Sequence, residues 1–202
     1  MSLGVPVPSP DGRTLFADGH LPRGELVVYD NKSHESRPSL SGISASDLDF
    51  SPDGKWIVHI SYPEGILWRS RTDGSERVQL TFPPDSVFLP RWSPDGTPIA
   101  YINALTGQPW RIFLISAQGR DTPADAFGEG VQSDGQWFPD GKRMIFGRTP
   151  FIPGSSEEVA LRVLDLSSKK VSIFPGSENL YGPRLSIDGK HLAAVTSETK
   201  NS

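Results

Sequence analysis

The sequence predicts an all-β chain of β-propeller blades, each a four-stranded antiparallel sheet, and three observations carry that prediction. A short turn signature recurs five times: SPDG at residues 9–12, 51–54 and 93–96, FPDG at 138–141 and SIDG at 186–189. Its aspartates, Asp11, Asp53, Asp95, Asp140 and Asp188, are separated by 42, 42, 45 and 48 residues, the spacing of a four-stranded blade. Apolar residues hold fixed offsets from each turn, and no 3.6-residue helical pattern competes with them.

The signature is turn chemistry. Pro presets φ, Asp hydrogen-bonds its own backbone two residues on, and Gly accepts positive φ. These aspartates are therefore read as structural Asx-turn residues, in preference to a ring of calcium-binding or acid–base carboxylates. Three residues before each Asp stand Pro8, Phe50, Trp92, Trp137 and Leu185; four after stand Leu15, Ile57, Ile99, Met144 and Leu192. A one-residue slip would turn all of these over, so they define a buried register between blades.

A third strand follows in residues 25–30 (ELVVYD), 66–71 (ILWRSR), 111–116 (RIFLIS) and 160–165 (ALRVLD). An outer strand is expected at 77–82 (RVQLTF) and 170–174 (KVSIF), more weakly at 36–40, and faintly at 121–127. The alternative architecture, a parallel β-helix, would need much shorter turns. One propeller region spans 4–199, with blades at 4–42, 45–84, 87–127 and 132–178 and a partial blade at 180–199. Residues 1–3 read as a vector-derived start. The expected result is an unfinished arc of about four and a half blades whose open edges favour self-association.

Composition excludes several functions. The charge of −4, from 20 basic and 24 acidic residues, contains no single-sign block, so nucleic acid is not expected as a partner. No apolar run approaches the roughly 18 residues of a membrane span. With no cysteine, disulfides, thiolate nucleophiles and Cys-based zinc sites are absent. Phosphate-binding Gly motifs and a G-x-S-x-G elbow are also missing; Gly154-Ser155-Ser156 lies in a Pro/Gly/Ser loop. His20, His34, His59 and His191 have no metal-ligand spacing. No catalytic residue, metal or cofactor is therefore expected.

The residues of interest lie four before each turn Asp: Val7, Asp49, Arg91, Gln136 and Arg184. On the innermost strands these would line one mouth of the channel, where Asp49, Arg91, Gln136 and Arg184 can meet a small ligand or a peptide. In the plainer alternative, Asp49 and Arg91 pair across adjacent blades and the rest are solvated. Trp56 and Trp68 are either surface anchors, as binding hot spots favour Trp, or core.

The signature, the aliphatic strand after it and the RVQLTF ending resemble the repeat of TolB-like propellers, relatives of WD-repeat propellers. Residues 50–84 and 89–102 resemble more narrowly the propeller modules of large bacterial, acidobacterial-type regulatory or sensor proteins. Departures are Phe138 for Ser, Ile187 for Pro, and Pro98 opening a second strand. The resemblance implies a six-bladed type, a non-catalytic interaction or sensing role toward a protein, peptide or small ligand, and a periplasmic or extracytoplasmic setting. Its enzymatic relatives imply the alternative, a metal-dependent lyase or the accessory propeller of a hydrolase.

Overall fold

The computed structural model describes residues 2–3, 7–8, 10–11, 13–16, 19–20, 23–40, 42–119, 123–125, 131–148 and 159–196. All regular structure among them is β. In the first repeat, β1 (Ser2–Leu3) pairs with β4 (Gly19–His20), β2 (Val7–Pro8) with β3 (Leu15–Phe16), and β5 (Val27–Asp30) with β6 (Glu35–Pro38). Three four-stranded meanders follow. They are β7 (Ala45–Phe50), β8 (Trp56–Ser61), β9 (Leu67–Arg71) and β10 (Val78–Gln79); β11 (Val87–Trp92), β12 (Pro98–Asn103), β13 (Arg111–Ser116) and β14 (Ala124–Asp125); and β15 (Ser133–Trp137), β16 (Arg143–Gly147), β17 (Ala160–Asp165) and β18 (Lys170–Glu178). The hairpin of β19 (Leu180–Leu185) and β20 (Leu192–Thr196) ends the series. Every pairing is antiparallel, so the parallel β-helix is excluded.

All five turn aspartates lie between paired strands. Outer strands differ most from expectation: β10 is two residues long, whereas β18 runs on to Glu178. Beyond Gln79 the Leu80 N–H still donates to the Leu67 carbonyl at 2.9 Å, and a side-chain clasp closes the end, in which the Leu67 N–H donates to Thr81 Oγ1 at 2.9 Å. Gln132 Oε1 receives the Ile112 N–H at 3.0 Å and Ser177 Oγ the Leu161 N–H at 3.1 Å in the next two sheets. These acceptors are all buried, as a group taken from water must be paired.

The core lies between sheets. Val58, Ile60 and Leu67 meet Trp92, Ile99 and Tyr101; Ala100, Ile102 and Ile112 meet Trp137, Met144 and Phe146; Phe138, Ile145 and Leu161 meet Leu180, Leu185 and Leu192. Central strands are covered on both faces, so β12 is buried from Ile99 to Asn103. The phase-locked residues Ile57, Ile99, Met144, Trp92 and Trp137 are buried. Phe50 departs from the expectation at 52 % exposed, and it borders a cavity. The side chains of Val7, Pro8, Leu15 and His20, and Gly154-Ser155-Ser156, lie outside the described residues.

Neighbouring turns also pack. A Cβ on Gly96 would lie 3.7 Å from Pro52, one on Gly141 3.9 Å from Pro94, and one on Gly189 2.9 Å from Pro139. Pro52, Pro94 and Pro139 thus rest on the Gly of the next copy, whereas a Cβ on Gly54 would meet nothing within 4 Å. Ile187, which replaces the last Pro, is fully exposed.

Candidate functional site

In the second, third and fifth copies the Ser hydroxyl donates to the turn carboxylate, at 2.7 Å for Ser51 to Asp53 and 2.6 Å for Ser93 to Asp95 and Ser186 to Asp188. These hydroxyls first, then the backbone N–H groups of Lys55, Thr97 and Lys190, hold the three carboxyls below the ordinary Asp range. Where Phe138 replaces Ser, Arg143 compensates: it pairs with Asp140 at 2.8 Å and lies 4.4 Å over the Phe138 ring. Asp11 accepts the Arg13 N–H at 3.1 Å. The five carboxylates are therefore engaged by their own turns.

The turns of the second to fifth copies border a cavity of about 550 Å³. Asp49, Arg91 and Gln136, from three successive sheets, line it beside Phe50, Trp92 and Trp137, with Pro52, Pro94 and Pro139 among the rim residues. Asp49 Oδ2 accepts the Trp92 N–H at 2.7 Å, and Oδ1 the Phe50 N–H at 3.0 Å. Burial pushes the Asp49 carboxyl up, against those bonds and the charge of Arg91. Arg91 Nη1 donates to the Pro90 carbonyl at 2.8 Å, so its guanidinium is held by its own strand.

Arg184 leaves this group. It makes the same local bond, Nη1 to the Pro183 carbonyl at 2.8 Å, but reaches Asp134 Oδ1 at 2.7 Å. Each innermost strand carries a register shift, between Ala45 and Leu48, Phe88 and Arg91, Ser133 and Gln136, and Tyr181 and Arg184. In the fourth sheet the bulge carries Asp134 at φ 54°, which presents its carboxylate to the neighbouring strand. A bulge re-aims side chains in this way, and no sequence offset revealed it.

The two tryptophans are half-buried and capped by guanidinium groups. Arg69 and Arg71 each lie 4.2 Å from the Trp56 ring centre, and Arg77 lies 4.1 Å from that of Trp68. The histidines are dispersed: His34 is exposed and bonded to the Tyr29 hydroxyl at 3.0 Å, His191 is exposed, and His59 is fully buried. Among the described residues no three His, Asp or Glu side chains are grouped to hold a metal ion, and no helix is long and apolar enough to cross a membrane.

No family model matches the sequence. The chain is 30 % identical over 112 residues to the uncharacterized protein Atu1656 of Agrobacterium fabrum, covering 50 % of this chain and 38 % of that protein. It is 33 % identical over 110 residues to the uncharacterized peptidase YuxL of Bacillus subtilis, covering 49 % of this chain and 17 % of that protein. Among solved structures, TolB from Acinetobacter baumannii superposes with a TM-score of 0.65 at 18 % identity, covering 95 % of this chain and 48 % of that one. The putative TolB from Agrobacterium tumefaciens gives 0.68 at 20 %, covering 87 % and 62 %. The fold is that of a TolB-like β-propeller. An oligogalacturonate lyase in complex with manganese shares it at a TM-score of 0.57 and 16 % identity, over 81 % of this chain and 48 % of that one. One propeller fold thus serves differently named proteins, and function has to be argued from the site.

A second cavity, of about 490 Å³, lies at the other ends of the propeller's innermost strands. Phe88, Leu89, Trp110, Tyr181 and Val195 wall it, and Asp134 and Arg184 supply its charges. Phe88 and Trp110 meet edge to face with ring centres 4.8 Å apart. Sequence reasoning followed only the position four before each turn Asp and so missed it, although Phe88, Ser133 and Tyr181 all stand seven before their turn Asp and Leu89, Asp134 and Gly182 all stand six before.

Proposed function

We propose that this propeller is a non-catalytic recognition module whose turn-face cavity receives a protein segment, peptide or small ligand. The observation that supports this is the convergence of Asp49, Arg91 and Gln136 on a single cavity with aromatic and proline walls. An acid, a guanidinium and an amide fix orientation, while Phe50, Trp92 and Trp137 supply apolar contact area, the division of labour of a binding pocket. Arg91 keeps donors beyond the one used on Pro90, and a guanidinium edge pairs well with a carboxylate. Asp49 complements it with acceptor capacity. The favoured ligand therefore carries both signs of charge next to an apolar group.

Panning a random peptide library against the wild type and an Asp49→Lys/Arg91→Glu variant tests this. Wild type should enrich peptides with adjacent opposite charges, and the variant, once circular dichroism has confirmed its fold, should reject them. Enrichment of the same peptides by both proteins would contradict the proposal. The catalytic alternative is tested by metal analysis of the purified protein, where stoichiometric manganese, zinc or calcium would favour it.

A further inference from the structure

The second cavity has a charge pattern that selects a ligand class. Arg184 spends Nη1 on the Pro183 carbonyl and on Asp134, and its Nε and Nη2 have no protein acceptor among the described residues. Its side chain is 52 % exposed and that of Asp134 20 %. Asp134 Oδ1 faces Arg184, while Oδ2 lies 3.6 Å from where a Cβ on Gly182 would stand. A free guanidinium edge and a carboxylate thus adjoin each other at one side of an aromatic and aliphatic chamber. The volume falls within the range of about 300 to 1,000 Å³ typical of small-molecule sites.

Each simpler ligand meets an obstacle. A plain carboxylate on Arg184 would be repelled by Asp134, and a plain amine on Asp134 by Arg184. A hydrocarbon would leave both charges desolvated without a partner, which is costly. A zwitterion whose charges are one carbon apart matches both, because the two protein charges are themselves in contact at 2.7 Å. Its apolar side chain would then lie against Phe88, Leu89 and Trp110.

We propose that this cavity binds a free apolar or aromatic α-amino acid. The carboxylate takes Arg184 Nε and Nη2, the ammonium takes the Asp134 carboxylate, and the side chain fills the aromatic chamber. This site is separate from the turn-face cavity and stands or falls independently of it.

Calorimetric titration of the folded full chain with L-phenylalanine and L-leucine tests the assignment. N-acetyl-L-phenylalanine, without the ammonium, and L-phenylalaninamide, without the carboxylate, should each bind about tenfold or more weakly, since each leaves one charged group unanswered. Asn tolerates the left-handed backbone at position 134, so Asp134→Asn should keep the fold. It should weaken L-phenylalanine and strengthen N-acetyl-L-phenylalanine; Arg184→Gln should weaken L-phenylalanine and spare the amide. Arg91→Gln, at the other cavity, should change nothing here. No heat of binding at millimolar amino acid would overturn the proposal, as would equal affinities for the three phenylalanine compounds or indifference to Asp134→Asn. Should Arg184→Gln fail to fold, the ligand series and Asp134→Asn decide the matter.

Discussion

His59 makes the propeller's stability depend on pH in a window that can be stated in advance. It lies on the second strand of the second sheet, opposite Leu48 and Trp68, fully buried and with neither ring nitrogen hydrogen-bonded. Burial first, and the nearby Arg77 charge second, push its pKa down from 6.5 to about 4. The unfolded chain therefore binds a proton between these values and the folded chain does not. Stability is fully present above the unfolded pKa, declines as pH falls, and levels off below the folded one. At about 1.4 kcal/mol per unit, the interval amounts to about 3 kcal/mol, a large share of the roughly 5 to 15 kcal/mol of a typical domain. Asp49, whose pKa is raised chiefly by burial, acts in the opposite sense, so the comparison must be with a variant. Urea unfolding of wild type and His59→Leu between about pH 7 and about pH 4.5 isolates the imidazole. Wild type should lose more stability than His59→Leu by most of the stated amount. Equal slopes, or an imidazole NMR titration near its ordinary midpoint, would refute the reasoning.

Four further variants have expected outcomes in the same unfolding assay. Ile99→Ala, at a residue with no exposed surface between the second and third sheets, should cost about 2 to 5 kcal/mol. Gly96→Ala should cost only the left-handed backbone penalty of about 1 to 2 kcal/mol, since its φ is 75° and the new Cβ would sit at ordinary distance from Pro52. Gly189→Ala should cost more, because its Cβ would also press on Pro139 at 2.9 Å. Ser93→Ala should cost about 1 to 3 kcal/mol and raise the Asp95 pKa by NMR titration, as the Ser93 hydroxyl is the largest cause of its depression.

The sequence by itself determined the repeat, the antiparallel hairpins and the alternation that buries Ile57, Ile99 and Met144. These are local matters: a Pro-Asp-Gly turn and a period of two specify a hairpin and its faces without reference to distant residues. Asp49, Arg91 and Gln136 were legible for the same reason, since a fixed offset from a fixed turn on the innermost strand brings them to one mouth. Outer strands were read poorly because their ends are held by single side-chain clasps from Thr81 and Ser177 that no periodicity announces. Only the tertiary structure decided that Arg184 turns to Asp134, that guanidinium groups cap both tryptophans, and that Phe88, Trp110 and Tyr181 enclose a second chamber. The first and the last depend on backbone bulges and on the approach of separate sheets, where distance is set by packing rather than by spacing along the chain; the caps join paired strands of the second sheet, with Trp56 opposite Arg71.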